Sequence, residues 1–187
     1  GDYNLTGERY KESVVQTNHK WELVELKEVA KIDWGNTNLT KQSYIENGEF
    51  LGVSATGPDG RMNHFEHEVG VTVLSAIGAN CGKIFYPTEK FTAIKNTITF
   101  TPDKTKINPK YLFYVMKDNA LSRRGAGQPF MAKGDVEKYK IPLPPIEVQK
   151  EIVEQIEVKQ NAIDHAKAII QNLERERDDI LVRHLEN

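Results

Sequence analysis

The chain has 187 residues, of which 39% are hydrophobic, 9% aromatic and 28% charged, with a formal net charge of −2. This excludes a wholly disordered chain and a stapled miniprotein, and leaves room for one domain of ordinary size plus an appendage. The longest apolar runs, such as Val73 with Leu74 or Ile169 with Ile170, fall far short of the roughly 20 residues that cross a bilayer, which excludes a transmembrane span and a membrane partner. The single cysteine, Cys81, precludes an internal disulfide, and the N-terminal Gly1, Asp2, Tyr3 and Asn4 have neither the basic nor the apolar character of a secretion signal. Both features fit a reducing cytoplasm.

Charge is distributed unevenly. Residues 83–140 hold 12 Lys+Arg against 5 Asp+Glu, whereas residues 1–82 hold 7 against 12 and residues 141–187 hold 6 against 10. The basic block includes Lys83, Lys95, Arg123, Arg124 and Lys133. It has the charge to set several cations against phosphate, or to form an ordinary solvated face, and charge alone does not separate the two.

Taken in chain order, residues 1–19 are polar and aperiodic, as a tail is. Residues 24–29 predict a short helical turn or the start of a strand, and residues 49–53 a strand. A turn is expected at 56–60, where Gly57, Pro58, Asp59 and Gly60 fall together. The β-branched segment 71–76 predicts a strand, as do 83–86 and 96–100. Pro109 predicts a helix start, continued as a buried helix over 111–116. The pattern is that of a mixed α/β (α+β) domain over residues 20–143.

Pro142, Pro144 and Pro145 then hold the chain extended. No Gly or Pro follows from Ile146 to the end, so residues 144–187 predict one long helix, about 50 to 60 Å at 1.5 Å per residue. With Ile156 at position a of a heptad, the a residues are Ile156, Ile163, Ile170, Arg177 and His184, and the d residues are Ile152, Lys159, Ala166, Leu173 and Ile180. That stripe is narrow, as a helix–helix seam is, with Ile152, Ile156, Ile163, Ile170, Leu173 and Ile180 as its pairing residues. It calls for a partner helix, from a second copy as a homodimer or from another subunit, while a helix folded back on its own domain would show the same pattern. Lys159 and Arg177 weaken such a seam and fix its register.

Catalytic and metal motifs fail one by one. Gly78, Gly82 and Lys83 stand one residue too close for a phosphate loop, and Ile84 occupies the position of its Ser or Thr. Gly125 and Gly127 are followed by Gln128, Pro129 and Phe130, which is no dinucleotide fingerprint. His64 and His67 lack the spacing of a zinc helix and any nearby cysteine, and read as exposed loop histidines. No nucleophile elbow occurs, and nothing places a base beside Cys81. No catalytic residue, metal or cofactor is therefore assigned to this chain.

The segment 139–153, with Ile141, Pro142, Leu143, Pro144, Pro145, Gln149, Ile152 and Val153, resembles the junction of target recognition domain and spacer helix in the DNA specificity subunits of type I restriction-modification systems. Four further stretches agree in the same order: 21–30 opening on Trp21, the strand and loop 73–84, the helix 108–116, and the loop 124–128. Residues 1–10, with Tyr3, Asn4, Leu5, Arg9 and Tyr10, are similar to the segment that closes the catalytic domain of the N6-adenine DNA methyltransferases of those systems. The resemblance implies that residues 1–19 are the end of an upstream methyltransferase module or a linker. The methylation chemistry and its S-adenosylmethionine would lie upstream, because Asn108, Pro109, Lys110 and Tyr111 carry lysine where the methyltransferase motif has a second proline.

The resemblance further implies a bacterial or archaeal cytoplasmic protein with double-stranded DNA, a methyltransferase and a restriction subunit as partners. The recognition domain would read a half-site and the paired helix would set the distance to the next. Its expected DNA contacts are Arg123, Arg124 and Gln128, where Gly125 and Gly127 let the backbone approach DNA, then Lys83, Asn80 and Lys133, and Arg61 beyond the Gly60 turn. The competing class is a protein-interaction adaptor on a coiled-coil stalk, with no role on DNA.

Overall fold

The computed structural model describes residues 20–117, 121, 123–125 and 127–185; residues 1–19, with their methyltransferase-like segment, lie outside the described residues. In chain order the elements are β1 (Leu23–Glu25), α1 (Leu26–Val29), β2 (Ala30–Trp34), a 3-10 turn (Lys41–Ser43), β3 (Phe50–Ser54), β4 (Gly57–Met62), β5 (Thr72–Ser75), β6 (Ile84–Phe85), β7 (Phe91–Ala93), β8 (Thr97–Pro102), α2 (Pro109–Lys117), α3 (Lys133–Glu137), β9 (Lys140–Pro142) and α4 (Ile146–Leu185). The mixed α/β domain with a long C-terminal helix is the architecture expected from the sequence.

Among the described residues three sheets form, in the orders β2-β8-β5-β6, β4-β3-β7 and β1-β9. The four-stranded sheet is antiparallel throughout, and in the three-stranded sheet β3 pairs antiparallel with β4 and parallel with β7. Every residue of β5 is buried because both of its faces are covered. Leu74 enters the larger core with Leu26, Ile98, Phe100, Leu112 and Met116, and Val73 enters a smaller one with Val53, Phe91 and Ala93. A strand covered on both faces reads as a continuous apolar run.

The turn expected at 56–60 is instead the strand β4. The chain reverses at Ala55 and Thr56, and Gly57 at φ +121° pairs with Ser54. Register shifts between Gly52 opposite Gly60 and Val53 opposite Pro58, which leaves Asp59 as the extra residue of a bulge. A bulge tolerates the proline that an interior strand position would not. Gly52 and Gly60 together leave a bare patch on the sheet, and the Tyr44 ring covers it: a Cβ on Gly60 would lie 2.1 Å from Tyr44 Cδ2.

The exposed-loop reading of the histidines holds for His64, whereas His67 is half-buried, with its ring 5.0 Å from Phe91. The long helix divides its work. Gln149 and Val153 are buried, Ile152 packs against the larger core and Ile156 is half-buried, so folding back on the domain describes the first turns of α4. From Asn161 to Ile180 every side chain is exposed, including Ile163, Ile170, Leu173 and Ile180, each about half accessible.

Candidate nucleic-acid interface

Strand register gathers five loops at one end of the domain. Ser75 at the end of β5 lies opposite Thr97 at the start of β8, and Trp34 at the end of β2 lies opposite Ile98. Val53, near the end of β3, pairs with Ala93 at the end of β7, and β7 turns into β8 through Lys95 and Asn96. The loops leaving these strands are stitched together by backbone bonds: Asn36 N–H donates to Ala93 O at 2.7 Å, Ala76 N–H to Asn96 O at 2.9 Å, and Lys95 N–H to Leu39 O at 3.2 Å. The 123–131 segment joins them, as Gly78 N–H donates to Pro129 O at 2.9 Å and Met131 N–H to Ala76 O at 2.8 Å.

Within that segment Arg124 and Phe130 exchange backbone bonds of 2.9 and 2.8 Å, closing a small hairpin whose tip carries the exposed Gln128. Gly125 adopts φ +86°, and a Cβ there would meet Gln128 O at 2.6 Å, so this glycine serves the hairpin's own turn. Gly127 is exposed with open space around its Cα, leaving the backbone at the tip open to a ligand. Across the neighbouring loop, Arg123 lies over Gly82, where a Cβ would sit 2.9 Å from its Nε.

Asn80, Lys83, Arg123, Arg124 and Gln128 thus share one rim, and Lys133 stands just beyond it at the start of α3. Among the described residues Lys83, Arg123 and Lys95 have no ion-pair partner, whereas Arg124 pairs with Asp135 at 2.6 Å, and Lys133 lies 3.7 Å from Asp33 and 3.4 Å from Glu137. The Lys31 ammonium, with help from Lys133, holds the Asp33 carboxyl below its usual range. Arg61 is not brought here. It lies toward the other end of β4, opposite Leu51, donating to Glu89 Oε2 at 2.9 Å and to Glu49 O at 3.4 Å.

Lys95, one of the cations of the basic block, belongs to the rim, and so does Asn96, which the sequence does not single out. Asn96 stands at φ 69° in a tight turn, and a Lys-Asn pair before a β-branched strand is the signal that could have found it. Beside this turn is a cleft of about 120 Å³ bounded by Lys41, Thr56, Lys95 and Asn96. Lys41 is held by Asp59 at 2.5 Å, and Asp59 also accepts from Ser54 Oγ at 2.8 Å, Tyr44 Oη at 2.9 Å and the Thr56 hydroxyl. Burial pushes the Asp59 carboxyl up, but these donors outweigh it and the net displacement is downward.

The rim therefore offers cations, amides and exposed backbone rather than a nucleophile and base. Cys81, the one thiol nearby, is buried, donates to Ala76 O at 3.3 Å and has its pKa raised by burial despite Arg123, which disfavours the reactive thiolate. Among the described residues no group of three His, Cys, Asp or Glu side chains could hold a metal ion, and no helix is long and apolar enough to cross a membrane.

The sequence model of the type I restriction modification DNA specificity domain matches residues 18–175. A Mycoplasma pneumoniae protein whose name assigns it to the type I specificity subunits is 24% identical over 160 residues, covering 82% of this chain and 52% of its own length. Among solved structures, the S subunit of a type I restriction-modification system from M. genitalium superposes with a TM-score of 0.69 at 17% identity, over 88% of this chain and 46% of that one. The HsdS subunit from Thermoanaerobacter tengcongensis gives 0.59 at 18% identity, over 83% and 41%. The chain spans about half the length of these relatives. With the family model covering most of its length, the chain belongs to the type I restriction modification DNA specificity domain family.

Proposed function

We propose that this domain reads the base sequence of double-stranded DNA at the rim and directs an N6-adenine methyltransferase to the site. The observation that carries the reading is the convergence of Lys83, Arg123 and Lys95, none ion-paired among the described residues, with Asn80 and Gln128. Cations without a carboxylate neighbour are those available to phosphate, and amides are the groups that read base edges bidentately. Residues 1–10, by their resemblance, support a methyltransferase module on the same polypeptide. That module would hold the methyl donor S-adenosylmethionine, and a restriction subunit would be a further partner.

The exposed Ile163, Ile170, Leu173 and Ile180 on α4 support pairing with an equivalent helix from a second recognition domain. The two domains would then read a bipartite site with unread bases between its halves. Pairing of two identical copies would give a palindromic site.

Binding of the full-length protein to random duplex tests the reading. Affinity should fall steeply with salt, and Lys83→Ala should reduce the slope of log K against log salt by about 1, as the loss of one phosphate contact does. Salt-independent retention, or an unchanged slope in Lys83→Ala, would contradict the assignment of this rim.

A further inference from the structure

We propose that Gln149, together with the Lys110–Glu157 ion pair, fixes the angle at which α4 leaves the domain and so sets the number of unread base pairs between the half-sites. The proposal rests on the pairing of recognition domains through α4 given above. Gln149 is fully buried in the first turns of α4, where a helix packed on a core ordinarily carries an apolar residue.

Its side chain is spent on three separate backbones. The amide nitrogen donates to Pro144 O at 2.8 Å and to Lys106 O at 3.1 Å, and the carbonyl accepts from Asn108 N–H at 2.7 Å. Asn108 in turn caps α2, its Oδ1 accepting from the N–H groups of Lys110 and Tyr111 at 2.9 and 3.1 Å. One glutamine thus ties α4 to the proline segment before it and to the start of α2. The Tyr111 hydroxyl adds a tie from α2 to Pro142 O at 2.9 Å.

A leucine would fill much the same volume but take their partner from the Asn108 N–H, the Lys106 carbonyl and the buried carbonyl of Pro144. Apolar contact through Ile152 and Val153 is non-directional, whereas these bonds weaken steeply when bent. Glutamine at this position specifies an orientation as well as adhesion.

The second fastening lies farther along the same helix. Lys110 on α2 pairs with Glu157 on α4, with side chains 45% and 35% accessible. Gln149 and Glu157 are eight residues apart, about 12 Å along the axis. One attached point leaves a rod free to swing, and two points in line fix its direction.

From Glu157 to the end of α4 the helix runs on for about 42 Å at 1.5 Å per residue. A swing of about 10° at the fastening would displace its far end by about 7 Å across the helix axis, a length of about two base pairs at 3.4 Å each where the DNA runs in that direction. Small play at Gln149 is therefore enough to blur the spacing of the recognised site.

The test is methylation-site mapping in cells carrying the full-length gene, unaltered, deleted, or with Gln149→Leu, Lys110→Glu, or Lys110→Glu with Glu157→Lys. Both single variants should methylate the native half-site bases at the native spacing and also at spacings one or two base pairs shorter or longer. The exchanged pair should return to the native spacing alone. Native spacing alone in both single variants, with heat melts showing them folded, overturns the proposal, as does an altered set of half-site bases. Should Gln149→Leu simply unfold, Lys110→Glu and its rescue decide by themselves, since both side chains are partly exposed. A deletion that removes no methylated motif is a distinct failure: it overturns the DNA-reading function and this proposal with it.

Discussion

Arg124 and Asp135 face one another at the base of the 123–131 hairpin, with Nη2 2.6 Å from Oδ2 and both side chains substantially exposed. The pairing occupies part of a guanidinium that carries five donors in a planar fork. The remaining donors face solvent, on the same segment as Gln128. Asp135 therefore orients Arg124 without exhausting it, an arrangement suited to reading a base edge.

Replacing Arg124 by Ala should weaken binding to the cognate duplex by about 1 to 3 kcal/mol more than binding to random duplex, because a bidentate base contact carries sequence information and a phosphate contact does not. Asp135→Asn, which removes the orienting charge, should strengthen binding to random duplex and narrow the preference for the cognate one. Competition binding at fixed salt distinguishes the outcomes. Equal losses on both duplexes in Arg124→Ala would make it a phosphate contact.

Acid should loosen the β3–β4 turn. The Asp59 carboxyl is held below its ordinary value by Lys41, Thr56, Ser54 and Tyr44, which outweigh the upward push of burial. A depressed folded pKa contributes stability in full above the unfolded value, about 3.9, and that contribution is lost as pH falls through the lower folded value. The stability gap between the unaltered protein and Asp59→Asn should accordingly be widest near pH 7 and shrink toward pH 3, measured by urea melts. A gap that does not change with pH would contradict it.

The exposed stripe of α4 leads to a prediction about mass. Ile163 and Ile170 are 48% and 54% accessible and contribute nothing to either core. Their joint replacement by Glu should abolish helix pairing, as light scattering reads it, with the melting transition of the globular part retained. An unchanged mass would rule out pairing through this seam.

The sequence was legible where one period dominated a segment. The strands at Phe50–Ser54, Thr72–Ser75 and Thr97–Pro102 and the helices beginning at Pro109 and Ile146 follow from short apolar or β-branched runs and from the prolines at the helix starts. β7, with three residues, is too short to show a period. β2 is an edge strand whose Lys31 and Asp33 face outward and pair at 2.8 Å, so its polar half hides its apolar half. The turn at 56–60 was misplaced because Gly, Pro and Asp have the same preference for a turn and for a bulge, and only the partner strand distinguishes them.

The rim was half legible for a related reason. Glycine-flanked Arg123, Arg124 and Gln128 stand out within one stretch of sequence. Lys95 stands out in the sequence as a charge and Asn96 as a turn residue, but what brings them to the rim, such as the bond from Ala76 N–H to Asn96 O, is a tertiary contact that no single stretch displays. Arg61 has the residue type of a DNA contact, but strand register carries it to the other end, where Glu89 takes it. Ile152 has the heptad spacing of the seam and is used by the core instead.

If this domain selects the DNA sequence to be methylated, single-molecule sequencing of a strain with the full-length gene beside its deletion will show it. N6-methyladenine should disappear from one defined motif on deletion, and Arg124→Ala should relax or abolish methylation of that motif alone. An identical pattern of methylated motifs in the two strains, with the gene expressed, would contradict it.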